Sequence, residues 1–459
     1  MKDNWLAQDV KQVLADKQFD AIKEFCEDNP APVCAEILSS LEPSDIWEAL
    51  KHLDLPTRVA IFSYLEPDHQ VALARILSRK EMAEILTEMP ADDRVDLLKD
   101  MSRETREAIL PALAQAERED IRRLFAHREG TAGSVMTSEY ATVRADQNAA
   151  EAIASLRLEA PNKETIYVAF VVDENRRLLG VISLKDLILA PPQETVRSLM
   201  EPEPVYCRLK DDQEEAARKI QKYDLLALPV LDESDTLVGI ITHDDAIDVL
   251  SQEHTEDMEK FMAIAGDHEV GVYLKTSPLI HFKNRATWIV GLAALGLISG
   301  SIIHSFENVL HSMMILALYM PMVADTGGNV GSQSATVIVR ALALREVGFK
   351  DIGTILWKEF QIALLLSLVL GTLSWGKVMF LSQGTTIPAG FSLSQIGFAI
   401  ALALSFQVIT ATLIGALLPL LAVRFNYDPA VIASPALTTI VDITGLLLYF
   451  STAKLLLGL

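Results

Sequence analysis

Between Asp428 and Lys454 the sequence carries one charged side chain, Asp442, inside the run ASPALTTIVDITGLLLYF. A carboxylate in an apolar stretch long enough to cross a hydrocarbon core of roughly 30 Å is costly, and such a residue by default marks a functional site. Ser434, Thr438, Asp442, Gly445 and Tyr449 follow at steps of 4, 4, 3 and 4 residues, so they share one helical face. A second stripe, in YMPMVADTGGNVGSQSATVIVR, sets Asp325, Asn329, Ser332 or Gln333, Thr336 and Arg340 at similar steps. Two polar faces within apolar helices imply a hydrated path between them. Gly327, Gly328 and Gly331 permit close helix approach and expose backbone carbonyls, while Pro321 and Pro435 free carbonyls by breaking helical bonds. Oxygen-rich irregular backbone at membrane depth is tolerated where it lines a cavity. The competing view is a glycine-packed helix pair with a satisfied Asn329.

A second set of carboxylates lies upstream. KDDQEEAA supplies Asp211, Asp212, Glu214 and Glu215, and HDDAIDVLSQEHTEDMEK supplies Asp244, Asp245, Asp248, Glu253, Glu256, Asp257 and Glu259, many three or four residues apart with few basic partners. Like charges at that spacing mildly destabilise a helix. A hard cation would remove the penalty, because Mg²⁺ and Ca²⁺ take carboxylate oxygens; a solvated acidic face is the alternative.

The elements that must hold these residues follow from charge and periodicity. Of 459 residues, half are hydrophobic, which suggests several domains. From Lys283 onward there are 7 acids and 9 bases, against 55 acids and 31 bases before it, so an acidic soluble half joins a nearly uncharged membrane half. The opening MKDNWLAQDVKQ has no apolar signal region, which points to a cytoplasmic soluble half. Cys26, Cys34 and Cys207 lack metal-ligand spacing and fit reduced thiols. Gaps between charges give five spans: 285–307, 307–340, 359–377, one within 378–423 after a polar loop, and 428–454. Lys283, Arg285, Arg340, Arg345, Lys350, Lys358 and Arg424 fall on one side, which the positive-inside rule makes cytoplasmic and which leaves the C-terminus outside.

Two patterns organise the soluble half. Leu41, Leu53, Leu65, Leu77, Met89, Met101 and Leu113 recur every twelve residues, each unit opening on capping residues, which predicts a solenoid of short stacked helices. A module of about sixty residues is then doubled, Gly180 answering Gly239 and Asp186 answering Asp245. It resembles a tandem CBS (cystathionine β-synthase) pair, and GVISLKD and GIITHDD resemble the turn with which such modules can hold ribose. Ser183, Asp186, Thr242 and Asp245 could do so, possession of the turn being compatible with binding nothing.

The order of helical repeats, CBS pair, acidic connecting helix and five spans, with TGGNVGSQSATVIVRALAL and DPAVIASPALTTIVDITGLLLYFS, is similar to the MgtE family of Mg²⁺ channels and transporters. The fold this implies is a multi-domain membrane protein: an α-helical N domain over 1–130, an α/β CBS pair over 131–250, a connecting plug helix over 251–280 and an all-α transmembrane domain of five helices over 281–459. The resemblance further implies a non-enzymatic homodimer in the plasma or inner membrane. It would pass Mg²⁺ through an interface pore that closes when cytoplasmic Mg²⁺ binds its acidic domains, the helix near 255–276 acting as plug. By position Asp442 matches the family's pore aspartate and Asn329 and Gly328 lie in its glycine motif, with Thr438 and Asp325 beside them. Asp93, Asp212, Glu214, Asp224, Asp245, Asp248, Glu253, Glu256, Asp257 and Asp428 fall where the family places sensing carboxylates. Expected ligands are Mg²⁺, transported and regulatory, ATP at the CBS pair, and membrane lipid, with no nucleic acid. An H⁺- or Na⁺-coupled carrier using Asp442 as proton site is the alternative. An intramembrane aspartyl protease is disfavoured because neither Asp325 nor Asp442 has a Gly-x-Gly-Asp setting.

Overall fold

The structure, a computed structural model, describes residues 7–262, 264, 276–385, 387–432 and 435–459. It divides into two compact units, Met1–Ser251 and Gln252–Leu459.

In the first unit each twelve-residue repeat is one short helix and one turn: Pro43–Leu50, Leu55–Ser63, Pro67–Ile76, Arg79–Glu88, Ala91–Asp100 and Arg103–Ile109. The repeating Leu/Met residues immediately precede the N-caps, where an apolar side chain packs back on the helix it introduces. All seven are buried in one continuous core. Asp54, Ser78 and Ser102 accept hydrogen bonds from the backbone N–H of Thr57, Glu81 and Thr105, starting three of the helices. A further twelve-residue echo closes the turns: Arg58, Gln70, Arg94, Arg106 and Arg118 donate to backbone carbonyls of the preceding repeat.

The doubled module folds as two small sheets of the same order. β1 (Tyr140–Arg144), β2 (Thr165–Val172), β3 (Leu178–Ser183) and β4 (Glu201–Pro202) form one, with β1 and β2 parallel and the others antiparallel. β5 (Cys207–Arg208), β6 (Ala227–Leu231) and β7 (Leu237–Thr242) form the other. Phe170, Val172, Leu231, Leu237 and Ile240 join the modules, and the Tyr140 hydroxyl donates to the Leu237 carbonyl at 2.8 Å. The second module shares the solenoid's core through Ala132 and Met136. The acidic helix His243–Phe261 then runs uninterrupted across position 250, because no Gly or Pro intervenes. Of the expected plug, 263 and 265–275 lie outside the described residues.

Among the described residues the second unit contains five long helices. Four of them, Pro278–Ser305, Phe349–Leu381, Leu393–Arg424 and Ala436–Leu457, are long and apolar enough to cross a membrane. The glycine-rich helix Ile315–Ala343 has the length, 29 residues, but carries the polar TGGNVGSQSAT stretch. It continues through Pro321 and all three glycines of the motif, so the expected irregular backbone is replaced by regular helix. The glycines act by close approach instead. A Cβ on Gly415 of the central helix Leu393–Arg424 would collide with the Gly331 carbonyl, and one on Gly331 would stand 3.2 Å from the Ala411 carbonyl oxygen. The last helix, Pro435–Leu457, begins at its proline, where the missing N–H costs nothing.

Candidate functional site

The glycine-rich helix and the last helix lie side by side: a Cβ on Gly328 would meet Thr438 Cγ2 at 3.4 Å. One turn beyond Thr438, Asp442 is half-buried, within electrostatic range of Asp325. Asp325 and Asn329 are exposed on the outer face of the glycine-rich helix, and Asn329 Nδ2 donates to Asp325 Oδ2 at 3.3 Å. Arg340, fifteen residues further along the same helix, is roughly 22 Å away, so Asp325 is held by Asn329 and not by Arg340. Ser434, the first residue of the expected stripe, lies outside the described residues. Gly328, Asn329, Asp325, Thr438 and Asp442 therefore converge on one neighbourhood of two helices. The arrangement offers carboxylate and amide oxygens to a cation on a face that the single chain leaves open.

Sequence reasoning missed a buried carboxyl on one of the long apolar helices. Glu359, 7% exposed, accepts a 2.7 Å hydrogen bond from Ser334 Oγ of the glycine-rich helix, tying that helix to Ile352–Leu381. It marked only the end of a charge gap, yet its place inside a long apolar helix was the available signal.

The first unit holds an acidic cluster. Asp92 and Asp93 start the solenoid helix Ala91–Asp100, Asp244 and Asp245 start the acidic helix, and Asp248 follows one turn on. Polar contacts set them facing: the buried Arg94 reaches Glu139 at 3.5 Å, and Ser138 Oγ donates to Asp120 at 2.8 Å. Loss of water around Asp93, with Asp245 beside it, pushes its carboxyl up to about 6. The same two causes push Glu164 up to about 7 and Asp92 well above the usual carboxylate range. Asp245 and Asp248 are also raised, first by desolvation and then by neighbouring acids. Asp92 Oδ1 is buried with no hydrogen-bond partner among the described residues. Asp93, Glu164, Asp244 and Asp248 keep exposed surface, so water reaches the rim and partly screens the repulsion. Asp92 and Glu164 escaped the sequence reading because only the tertiary fold brings them together.

Among the described residues no group of three or more His, Cys, Asp or Glu is close enough to ligate a metal directly. Mg²⁺ does not require one, since it dehydrates reluctantly and binds through one or two carboxylates and its own waters.

The other expected acids are more committed. Asp212 caps the helix Gln213–Tyr223 through the N–H groups of Glu214 and Glu215, Glu214 pairs with Arg218, and Asp224 ends that helix in a left-handed conformation. Glu253, Glu256 and Asp257 lie on the acidic helix, and in the second unit Lys260 binds both Glu256, at 2.6 Å, and Asp428, at 3.3 Å. In the ribose-type turns Ser183 Oγ donates to Asp186 at 2.5 Å near the surface, whereas Thr242 is buried and donates to Asp245.

Known proteins share this organisation. A family model described as MgtE, divalent cation transporter, matches residues 320–452, the MgtE intracellular N domain matches 30–130, and CBS domains match 132–192 and 196–252. The chain is 42% identical over 340 residues to magnesium transporter MgtE of Thermus thermophilus, spanning 74% of this chain and 73% of that one. Its identity to the Bacillus subtilis magnesium transporter MgtE is 35% over 338 residues, 74% and 72% of the two chains. Among solved structures, the cytosolic domain of the Mg²⁺ channel MgtE in complex with ATP matches 53% of this chain and all of its own at 35% identity, TM-score 0.51. The soluble part of a magnesium transporter matches 53% of this chain and 96% of its own at 30% identity, TM-score 0.50. The chain belongs to the MgtE family of divalent cation transporters.

Proposed function

We propose that the protein is a Mg²⁺ channel of the cell membrane whose pathway runs past Asp442 at a homodimer interface and closes when cytoplasmic Mg²⁺ occupies its acidic clusters. The observation that carries this reading is the convergence of Asp442 with Asp325 and Asn329 on an open face of two membrane helices. Two symmetry-related Asp442 carboxylates could grip a hydrated Mg²⁺ through its water shell, so the ion need not be stripped. The ion in turn offsets the mutual repulsion of the two carboxylates.

Closure uses the same chemistry outside the membrane. Without a cation, Asp92, Asp93, Glu164, Asp245 and Asp248 repel; a divalent ion among them favours the compact arrangement and shifts the population towards it. Glu253, Glu256, Asp257 and Asp428 are proposed as the corresponding contacts nearer the pore, with the helix beyond 255 as plug. Thr242 and Asp245 are committed to the acidic cluster, which leaves Ser183 and Asp186 as the proposed ribose contacts of a nucleotide such as ATP, the ligand named for the cytosolic domain that matches this one. The N-terminal domains are proposed to be cytoplasmic and the C-terminus outside.

The test is reconstitution of the full chain in lipid vesicles with recording of single-channel current. A Mg²⁺ current above carrier turnover, independent of H⁺ and Na⁺ gradients, supports the channel. Uptake that requires either gradient overturns it in favour of the coupled carrier.

A further inference from the structure

Directly behind the Asp442 neighbourhood sits Gln407, in the middle of the central helix Leu393–Arg424 and 0% exposed. Its Nε2 donates to the Val441 carbonyl at 2.9 Å. That carbonyl belongs to the residue preceding Asp442, and Thr444 Oγ1 also donates to it, at 3.0 Å. Gln407 Oε1 is buried and has no hydrogen-bond partner among the described residues. Reversing the amide would set its oxygen against the Val441 carbonyl and strand both N–H groups, so the donor is correctly placed.

Two glycines make room for this side chain, one on each pathway helix. A Cβ on Gly327 of the glycine-rich helix or on Gly445 of the last helix would collide with the Gln407 amide. Helical geometry gives the slot its consequence. Gly327 faces the central helix, and Asp325 and Asn329, two residues either side, point roughly 200° away, towards the open face. On the last helix, Val441 is held from behind while Asp442 lies roughly 100° further round. A polar group buried in a membrane at the cost of an unsatisfied oxygen persists where it fixes something that apolar packing does not.

We propose that Gln407 is a positioning residue for the ion pathway: its amide, wedged between Gly327 and Gly445, fastens the last helix at Val441 and so fixes the direction in which Asp442 presents its carboxylate towards Asn329. The proposal rests on the reading of Asp442 as the pathway carboxylate, and its specific content is that the hydrogen bond, not the volume, of Gln407 matters. A side chain of the same length without a donor fills the slot but gives up this restraint on the last helix at Val441.

The experiment measures Mg²⁺ and Ca²⁺ influx into vesicles holding the full chain, against ion concentration, for the unaltered protein, Gln407→Met, Gln407→Glu and Asp442→Ala. Gln407→Met keeps length and volume and loses the donor; the expected result is an unchanged oligomeric state, a half-saturating Mg²⁺ concentration raised about tenfold, and a smaller Mg²⁺ over Ca²⁺ preference. Gln407→Glu donates to the Val441 carbonyl only when protonated. Its flux relative to the unaltered protein is expected to fall as pH rises from 6 to 8, a readout that stands even if the Met variant fails to assemble. If both variants follow the unaltered protein in half-saturation, ion preference and pH profile while Asp442→Ala is inactive, Gln407 is a spacer and the proposal is overturned alone. If Asp442→Ala conducts normally, the pathway reading itself has failed.

Discussion

The two units use the same functional group in opposite ways. In the membrane unit carboxylates are few and individually placed: Asp325 is held by Asn329, Glu359 by Ser334, and Asp442 stands where glycines let helices touch. In the soluble unit Asp92, Asp93, Glu164, Asp245 and Asp248 crowd together with pushed-up protonation equilibria and an orphaned oxygen. A pathway needs a charge whose position is rigid and whose grip is weak enough for the ion to leave. A sensor needs charges whose repulsion is relieved only when the ion is present, so that binding energy becomes conformational energy.

Asp442→Ala removes the individually placed carboxylate and should cost the most. Mg²⁺ influx should drop to that of empty vesicles with assembly intact, since the change removes the only charge between Asp428 and Lys454 and leaves a small cavity. Influx at the unaltered rate would remove Asp442 from the pathway.

Protonation probes the crowded side. Asp93 and Glu164 titrate near 6 and 7 in the folded protein, against about 4 for free carboxylates. Folded values above unfolded ones mean that the stabilisation is complete below about pH 4 and lost as pH rises through 6 to 7. Mg²⁺ competes with the protons that it replaces. At a hundredfold excess over Kd it should raise the melting temperature of the soluble unit by on the order of 5–10 °C at pH 8, and by a small fraction of that at pH 5. Equal shifts at the two pH values would show that Mg²⁺ acts elsewhere.

Lys260 gives the smallest effect. Its half-exposed ion pairs with Glu256 and Asp428 have a value of up to about 1 kcal/mol, and the ammonium occupies carboxylates proposed to receive Mg²⁺. Lys260→Ala should lower the Mg²⁺ concentration for half-closure about two- to fourfold. An increase would mean that the lysine helps to close the pore.

The periodic parts of this fold were legible from residues alone. The twelve-residue Leu/Met series marked the positions before each helix cap, and Gly180 and Gly239 marked the same position, third in β3 and third in β7, of the two sheets. Asp442 was legible because charge is so rare around it. What stayed hidden was tertiary. Nothing local in Gln407 or Glu359 announces Val441 or Ser334 as a partner. Asp92 joins Asp245 across 153 positions where the Arg94–Glu139 and Ser138–Asp120 contacts tie the solenoid to the CBS pair, and Glu164 joins it across 81 through the packing of one CBS module on the other. Conversely, Asp212 and Glu214 looked unpaired in KDDQEEAA, yet a cap and Arg218 use them. The glycine motif suggested an open backbone, whereas its glycines are spent on helix contact, Gly327 and Gly331 with the central helix and Gly328 with the last one.

The proposed closure couples the two units, with cations bound by the crowded carboxylates shutting the pathway lined by the placed one. The most direct measurement is single-channel open probability against cytoplasmic Mg²⁺ for the unaltered protein and for Asp93→Asn combined with Asp245→Asn, a pair that removes charge without touching the membrane helices. Unitary current should be equal in both, with half-closure in the variant displaced to at least about tenfold higher Mg²⁺. Closure of the variant at the same Mg²⁺ concentration as the unaltered protein would contradict it.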